Sequence, residues 1–195
     1  MMLTKQKIKD FYTVAVNDLG EMRNYVYFAV VIYVVGLLLG VLLTGHFEVF
    51  LDSFRRLATK FIGRSLPVLI AMIFLQNFFA AFVSMWAGAL LGLVPLAAAA
   101  TNGILLGVVL SAAAHVNLWQ ALLKLMPHGI FEMPAVFIAW GLGMWRGAWI
   151  FRRRKDITFR ERALGAYRIF FAIVVPLLVV AAVIEGLGIW FWRTP

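Results

Sequence analysis

From Ser65 to Leu123 the chain carries no Asp, Glu, Lys or Arg, and that run limits its possible folds more than any other feature. Hydrophobic residues make up 64% of the sequence and mean hydropathy is +0.92, so the solvent for most of the chain is lipid. In a bilayer every backbone N–H and C=O must be satisfied internally, which leaves helices or a closed barrel. The apolar runs are far too long for barrel strands and lack their alternation. The expected fold class is all-α, a polytopic transmembrane helix bundle.

A span needs about 20 apolar residues, and the windows 25–44, 66–91, 96–114, 129–151 and 169–192 read as five spans. Residues 1–23 place Ile8, Phe11, Tyr12, Ala15, Leu19 and Met22 at helical spacing, a short amphipathic elbow along the inner surface. Over 46–65, Phe47, Phe50, Leu51, Phe54, Leu57, Ala58, Phe61 and Ile62 share one arc. Charged residues fill most of the remainder, the pattern of an amphipathic helix that lies in the interface or packs on neighbouring spans. No internal repeat or linker divides the chain, so 1–195 reads as a single membrane domain. No cleavage pattern follows the first span, which is therefore expected to be retained as an anchor. The chain has no cysteine, which excludes a disulfide framework and thiol chemistry.

The net charge of +9 concerns loops and lipid headgroups rather than nucleic acid. Lys5, Lys7, Lys9 and Arg23 precede the first span. Arg152, Arg153, Arg154, Lys155, Arg160, Arg162 and Arg168 lie in the expected loop before the last. These eleven share one side, against Arg55, Arg56, Lys60, Arg64, Lys124 and Arg193 on the other. The positive-inside rule then predicts a multi-pass protein of the cell membrane with a cytoplasmic N-terminus.

Against this background Glu132 stands out, within the segment Met126-Pro127-His128-Gly129-Ile130-Phe131-Glu132-Met133-Pro134-Ala135. A charged side chain near the bilayer centre costs at least roughly 2.5–3.5 kcal/mol, so such residues face a protein interior or a cavity. His128, Glu132, Ala135, Val136, Ala139, Gly143 and Arg146 share one helical face. Met133, Phe137, Trp140 and Met144 form a bulky opposite stripe suited to lipid or broad packing. Asn77, Ala80, Ala81, Ser84 and Gly88 align likewise, and Glu185 is flanked by Ala181, Ala182 and Gly188. With the N-terminus inside, Glu132 and Glu185 both fall in the outer half of the bilayer and are close enough in depth to meet, with Asn77, Asn102 and His128 as hydrogen-bonding neighbours. Arg146 lies about 21 Å along the helix from Glu132 and is expected to snorkel inward. The cluster is open to a structural reading, a buried polar latch, and to a relay, a substrate path or a partner-docking groove. The pairs Gly36/Gly40, Gly88/Gly92, Gly103/Gly107 and Gly143/Gly147 have the spacing of close helix approach, within the chain or across a homo-oligomer seam.

Catalytic chemistry finds little support. His128 and Glu132 stand at i, i+4 with His115 as a conceivable third ligand, but no H-E-x-x-H appears. Ser65, Ser84 and Ser111 lack a nucleophile motif, and no phosphate-binding Gly-Lys-Ser/Thr element occurs. No catalytic residue, metal or cofactor is expected.

Gln76-Asn77-Phe78-Phe79-Ala80, Asn102-Gly103-Ile104-Leu105-Leu106-Gly107, the core Pro127-His128-Gly129-Ile130-Phe131-Glu132-Met133-Pro134-Ala135 and Ala181-Ala182-Val183-Ile184-Glu185 resemble the stage II sporulation protein M family. The resemblance runs from the second span to near the C-terminus; the first span fits by position and hydropathy alone. In the core motif His128, Gly129, Glu132 and Pro134 correspond directly. The resemblance implies a small polytopic membrane protein of a family with no established enzymatic activity. In spore formers the namesake is a scaffold at septal and engulfing membranes for a peptidoglycan-degrading machine, and other members occur where no spores form. Two functions are open: a scaffold organising envelope or membrane-remodelling partners, or a permease-like subunit with a polar path through Glu132 and Glu185. The Pro-interrupted stretches at Pro95 and Pro127/Pro134 fit broken helices or span boundaries alike. Expected partners are membrane lipid and other membrane or envelope proteins, peptidoglycan-remodelling factors in a spore former among them, with no nucleic acid.

Overall fold

The computed structural model describes residues 2–43, 63–114, 117–151 and 158–191, and among these no strand occurs. Helix α1 spans Met2–Leu42, about 60 Å at 1.5 Å per residue, roughly twice the hydrocarbon thickness of a bilayer. The elbow expected over 1–23 and the span expected over 25–44 are thus one continuous helix. No proline separates them, and Gly20 costs a helix interior only about 1 kcal/mol. The amphipathic segment expected over 46–65 lies, apart from 63–65, outside the described residues.

Helix α2, Leu66–Ala87, opens from extended Ser65 with Pro67 in its first turn, where the missing N–H breaks no helical bond. The turn that follows carries Leu91 at φ 57° and Gly92 at φ 73°, two successive left-handed residues that reverse the chain into α3, Leu93–Ala114. Helix α4, Leu118–Gly147, ends in a 3₁₀ turn over Ala148–Phe151. It starts well before the expected boundary at 129, and Pro127 and Pro134 lie within it.

Helix α5, Phe159–Ile169, occupies what the sequence suggests is loop. The cause is a capping box: the Thr158 hydroxyl accepts from the Glu161 N–H at 3.2 Å, and the Glu161 carboxylate accepts from the Thr158 N–H at 2.7 Å. A π turn over Phe170–Val174 leads into α6, Val175–Phe191, with the Val175 N–H donating to the Phe170 carbonyl. Pro176 at the second position of α6 has no N–H for the carbonyl four residues back, and a π turn is a common accommodation of such a break.

Inter-residue contacts fix the directions. Gly103 abuts the Tyr33 carbonyl and Gly107 the Leu37 carbonyl, so α1 and α3 run parallel. Gly141 meets Val26 while the Tyr33 hydroxyl reaches the Met133 sulfur, so α4 runs against α1. Ile70 meets Gly186 while Phe82 meets Tyr167, so the α5–α6 stretch runs against α2. Successive long helices therefore alternate in direction.

Two glycine interlocks hold them. Gly36 and Gly40 of α1 face Ala100 and Ile104 of α3, while Gly103 and Gly107 return the contact to α1. Gly88 packs on Gly143, and Gly147 on Gly92 and Gly88, joining α2 and its turn to α4. A Cβ on Gly36 would fall 2.5 Å from the Ala100 oxygen. All four pairs thus serve packing within the chain, where glycine lets backbones touch. The space between α2, α4 and the π turn is filled by aromatics. Phe78 and Phe82 stack at 5.8 Å, and Phe170 sits edge-on to each at 5.6 and 5.5 Å.

Four helices, Lys5–Leu42, Leu66–Ala87, Leu93–Ala114 and Phe159–Phe191, are long and apolar enough to cross a membrane. In α4 every residue from Ile138 to Gly147 is buried, so this half of the helix, Arg146 included, meets protein rather than lipid. The stripe of Phe137, Trp140 and Met144 accordingly packs against α1 and α3.

Candidate functional site

Helix α4 carries Glu132 into a cleft of about 660 Å³ between α1, α3 and α4, a volume typical of ligand sites. Tyr33 comes from α1, Asn102 and Leu106 from α3, and Gly129, Glu132 and Trp140 from α4. The rest of the wall is chiefly leucine, isoleucine, valine and methionine. The Tyr33 ring stands edge-on to Phe137 at 5.2 Å and tilted over Trp140 at 6.0 Å, with its hydroxyl 3.7 Å from the Met133 sulfur. Asn102 donates to the Ala98 carbonyl of its own helix at 2.8 Å. Ile130 also lines the cleft, and its carbonyl is one to which Pro134, four residues on, has no N–H to offer.

Depth follows from the same contacts. Tyr33 abuts Gly103 and reaches Met133, and Leu106, Met133 and Val136 pack against the same buried cluster around Tyr33 and Trp140. Glu132 is thus within about a turn of the middle of α3. That level is roughly 12–16 Å below the end of α3 at 1.5 Å per residue, deeper than a helix beginning at Gly129 would place it.

The cleft gathers Glu132, Asn102 and Gly129 from the residues singled out in the sequence and adds Tyr33 and Trp140. Asn77 on α2 and Glu185 on α6 are half-buried and do not line it; Glu185 neighbours Gly186, which packs on Ile70. His46, His115 and the side chains of Pro127 and His128 lie outside the described residues. Among the described residues no three His, Cys, Asp or Glu side chains converge as a metal site.

A second polar centre went unread in the sequence. Arg146, 4% exposed, does not snorkel to the interface. Its guanidinium donates to the Met85 and Trp86 carbonyls at 3.1 and 3.3 Å and lies over the rings of Phe159 and Tyr167. The Met85 and Trp86 carbonyls sit in the last turn of α2, where the Gly88 and Ala89 N–H groups reach them only at 3.3 and 3.4 Å, and they concentrate the negative end of the helix dipole, which is why a cation is held there. Arg162, fully buried, donates to the Trp145 carbonyl at 2.6 Å and lies over the Trp145 ring at 5.0 Å. Its signal was the spacing Thr158-x-x-Glu161, which starts a helix and turns Arg162, Gly165 and Ala166 onto one buried face. Arg168 reaches back to Asp18 of α1 at 2.7 Å. These contacts clamp the opposite end of the bundle from the cleft.

A family model described as Stage II sporulation protein M matches residues 29–188. The match takes in α1 from Ala29 onward, most of its apolar part, beyond the reach of the motif resemblance. Among curated proteins and among solved structures, none matches the chain.

Proposed function

The chain belongs to the stage II sporulation protein M family, and from that premise we propose that it is a non-enzymatic membrane scaffold. It holds envelope or membrane-remodelling partners against its spans, in the cell membrane, with its N-terminus in the cytoplasm. The family is not a known enzyme family, and the helices are those of a membrane protein. One observation carries the reading: the Glu132 cleft has an apolar rim on which Met126 and Ile130 are 58% and 61% exposed. Such a rim suits a neighbouring membrane segment. Away from the cleft, stacked Phe78 and Phe82 with Phe170 edge-on to both fill the interior beside α4, which favours a docking site over a polar path through the bundle.

The test is purification from native membrane in mild detergent, with everything that co-purifies identified for wild type and for Glu132→Gln at matched expression. Stoichiometric partners reduced or lost in the variant support the scaffold. A protein that purifies alone in both forms moves the assignment to transport, to be measured as flux in proteoliposomes.

A further inference from the structure

The exposed side of α2 carries an amide side chain where a membrane helix can least accommodate one. Gln76 is the eleventh of the 22 residues of Leu66–Ala87, about 15 Å from either end of the helix at 1.5 Å per residue. The hydrocarbon core of a bilayer is about 30 Å thick, so this side chain reaches neither headgroups nor water. Gln76 is exposed, and among the described residues its carboxamide has no hydrogen-bond partner. The polar side chains of α3 differ: Thr101 and Asn102 donate to the Ala97 and Ala98 carbonyls of their own helix. An amide left unpaired in an apolar medium is unfavourable, and hydrogen bonding across to another helix is the usual relief.

The residues around Gln76 supply the rest of a seam. Gln76, Phe79, Val83 and Trp86 follow one another at intervals of three, four and three residues, and all four are exposed. That is the a/d spacing of helices packed side by side with a left-handed crossing. Ala80, also exposed, stands one turn from Gln76 and leaves room for a close approach. The other side of α2, with Leu69, Ile73, Ala81 and Met85, is buried within the chain. The seam is separate from the Glu132 cleft, which lies between α1, α3 and α4.

We infer that this face of α2 is a homodimer seam. Two copies of the chain, inserted in the same direction, pack α2 on α2 about a two-fold axis along the membrane normal, with the two Gln76 carboxamides hydrogen-bonded to each other. An acyl chain fills such a face but offers Gln76 neither donor nor acceptor. A carboxamide has two N–H donors and an acceptor oxygen, so a second carboxamide completes it. The two-fold axis makes the contact self-complementary and brings Gln76 to its own depth in the partner, with no second matched sequence required. A single polar residue at an a position also fixes register and oligomeric state in seams of this kind. The inference goes beyond the scaffold reading and does not depend on it: the dimer leaves one Glu132 cleft on each copy.

The experiment uses the full chain in phosphatidylcholine vesicles over a range of protein-to-lipid ratios. The chain has no cysteine, so a single Asn17→Cys carries a donor dye in one sample and an acceptor in another, and energy transfer between copies reads their association. Gln76→Leu keeps an apolar seam without the amide and is expected to weaken association about tenfold, the 1.4 kcal/mol step of a tenfold constant. Gln76→Asn restores a carboxamide and is expected to recover part of the loss, which a purely apolar contact would not show. Because Gln76 is exposed within one copy, both variants are expected to keep the unfolding transition of the detergent-dispersed monomer. The face is read separately by oxidation with copper phenanthroline. Val83→Cys, on the seam, is expected to give a disulfide-linked dimer, and Tyr27→Cys, exposed on α1, is not. A chain that stays monomeric at every ratio overturns the inference, as does association unchanged by Gln76→Leu or cross-linking at position 27 but not at 83. Loss of a different co-purifying membrane protein in Gln76→Leu, with self-association intact, would also overturn it and assign the seam to that protein.

Discussion

Glycine does two different jobs in this molecule, and neighbouring atoms tell them apart residue by residue. A Cβ on Gly107 would collide with the Leu37 carbonyl, backbone that cannot move aside, whereas a Cβ on Gly188 would meet nothing within 4 Å. Gly107→Ala is therefore expected to destabilise by about 1–3 kcal/mol through overpacking. Gly188→Ala should stabilise by about 0.5–1 kcal/mol, because alanine is the better helix former. Thermal unfolding in one detergent checks both, and a fall in Tm for Gly188→Ala would contradict the open space. Arg146 is the polar counterpart. Arg146→Ala strips charged donors from two carbonyls and is expected to cost roughly 1.5–3 kcal/mol per hydrogen bond to a charged group. Arg146→Lys should recover only part of that, since an ammonium cannot stack between Phe159 and Tyr167 as a planar guanidinium does. Equal Tm values for wild type and Arg146→Ala would show that those contacts carry no net stability.

Among the elements, α1 and α4 differ most from what their composition suggests. The N-terminal half of α1 is carried on α5, through buried Ala15 and Met22 and the Asp18–Arg168 ion pair. The ion pair is about a third exposed on each side, so screening limits it to about 0–1 kcal/mol. Loss of the Met22 side chain from a filled site should cost roughly 2–5 kcal/mol. Met22→Ala is accordingly predicted to destabilise the α1–α5 contact more than Asp18→Asn does, measured as amide exchange over residues 10–24, with only the Asp18 variant's effect weakening in high salt. The sequence of α4 mixes prolines, glycines, Glu132 and Arg146, a composition that reads as broken or bounded. Its C-terminal half is held by its neighbours: from Ile138 to Gly147 every residue is buried, so the Arg146 charge meets protein rather than lipid. The capping box at Thr158 and the proline at 176 are local signals, and the helix start and π turn they produce were legible in principle; the burial of Arg162 was not, because it depends on where Trp145 stands.

For the molecule as a whole, alternating helices and a basic N-terminal side give a definite orientation test. With no native cysteine, Asn17→Cys and Asn117→Cys report cleanly on opposite ends of the bundle. Asn117→Cys is expected to react with an impermeant maleimide on intact cells and Asn17→Cys only after permeabilisation. The reverse pattern would invert the orientation. Two of the basic residues behind that expectation, Arg162 and Arg168, are also structural, one buried against Trp145 and one paired with Asp18, so the charge bias and the packing of that end are set by the same side chains. The sequence by itself determined the solvent, the helical class, the family motif and Glu132 as the residue needing a reason, because these follow from hydropathy, backbone hydrogen bonding and short spacings along one chain. Only the tertiary structure decided which glycines face which carbonyls, that Arg146 closes α2, and that Glu132 shares a cleft with Asn102, Tyr33 and Trp140 while Glu185 and Asn77 stand outside its lining. Those facts depend on the rotation and register of one helix against another, which are fixed by close packing between residues far apart in sequence.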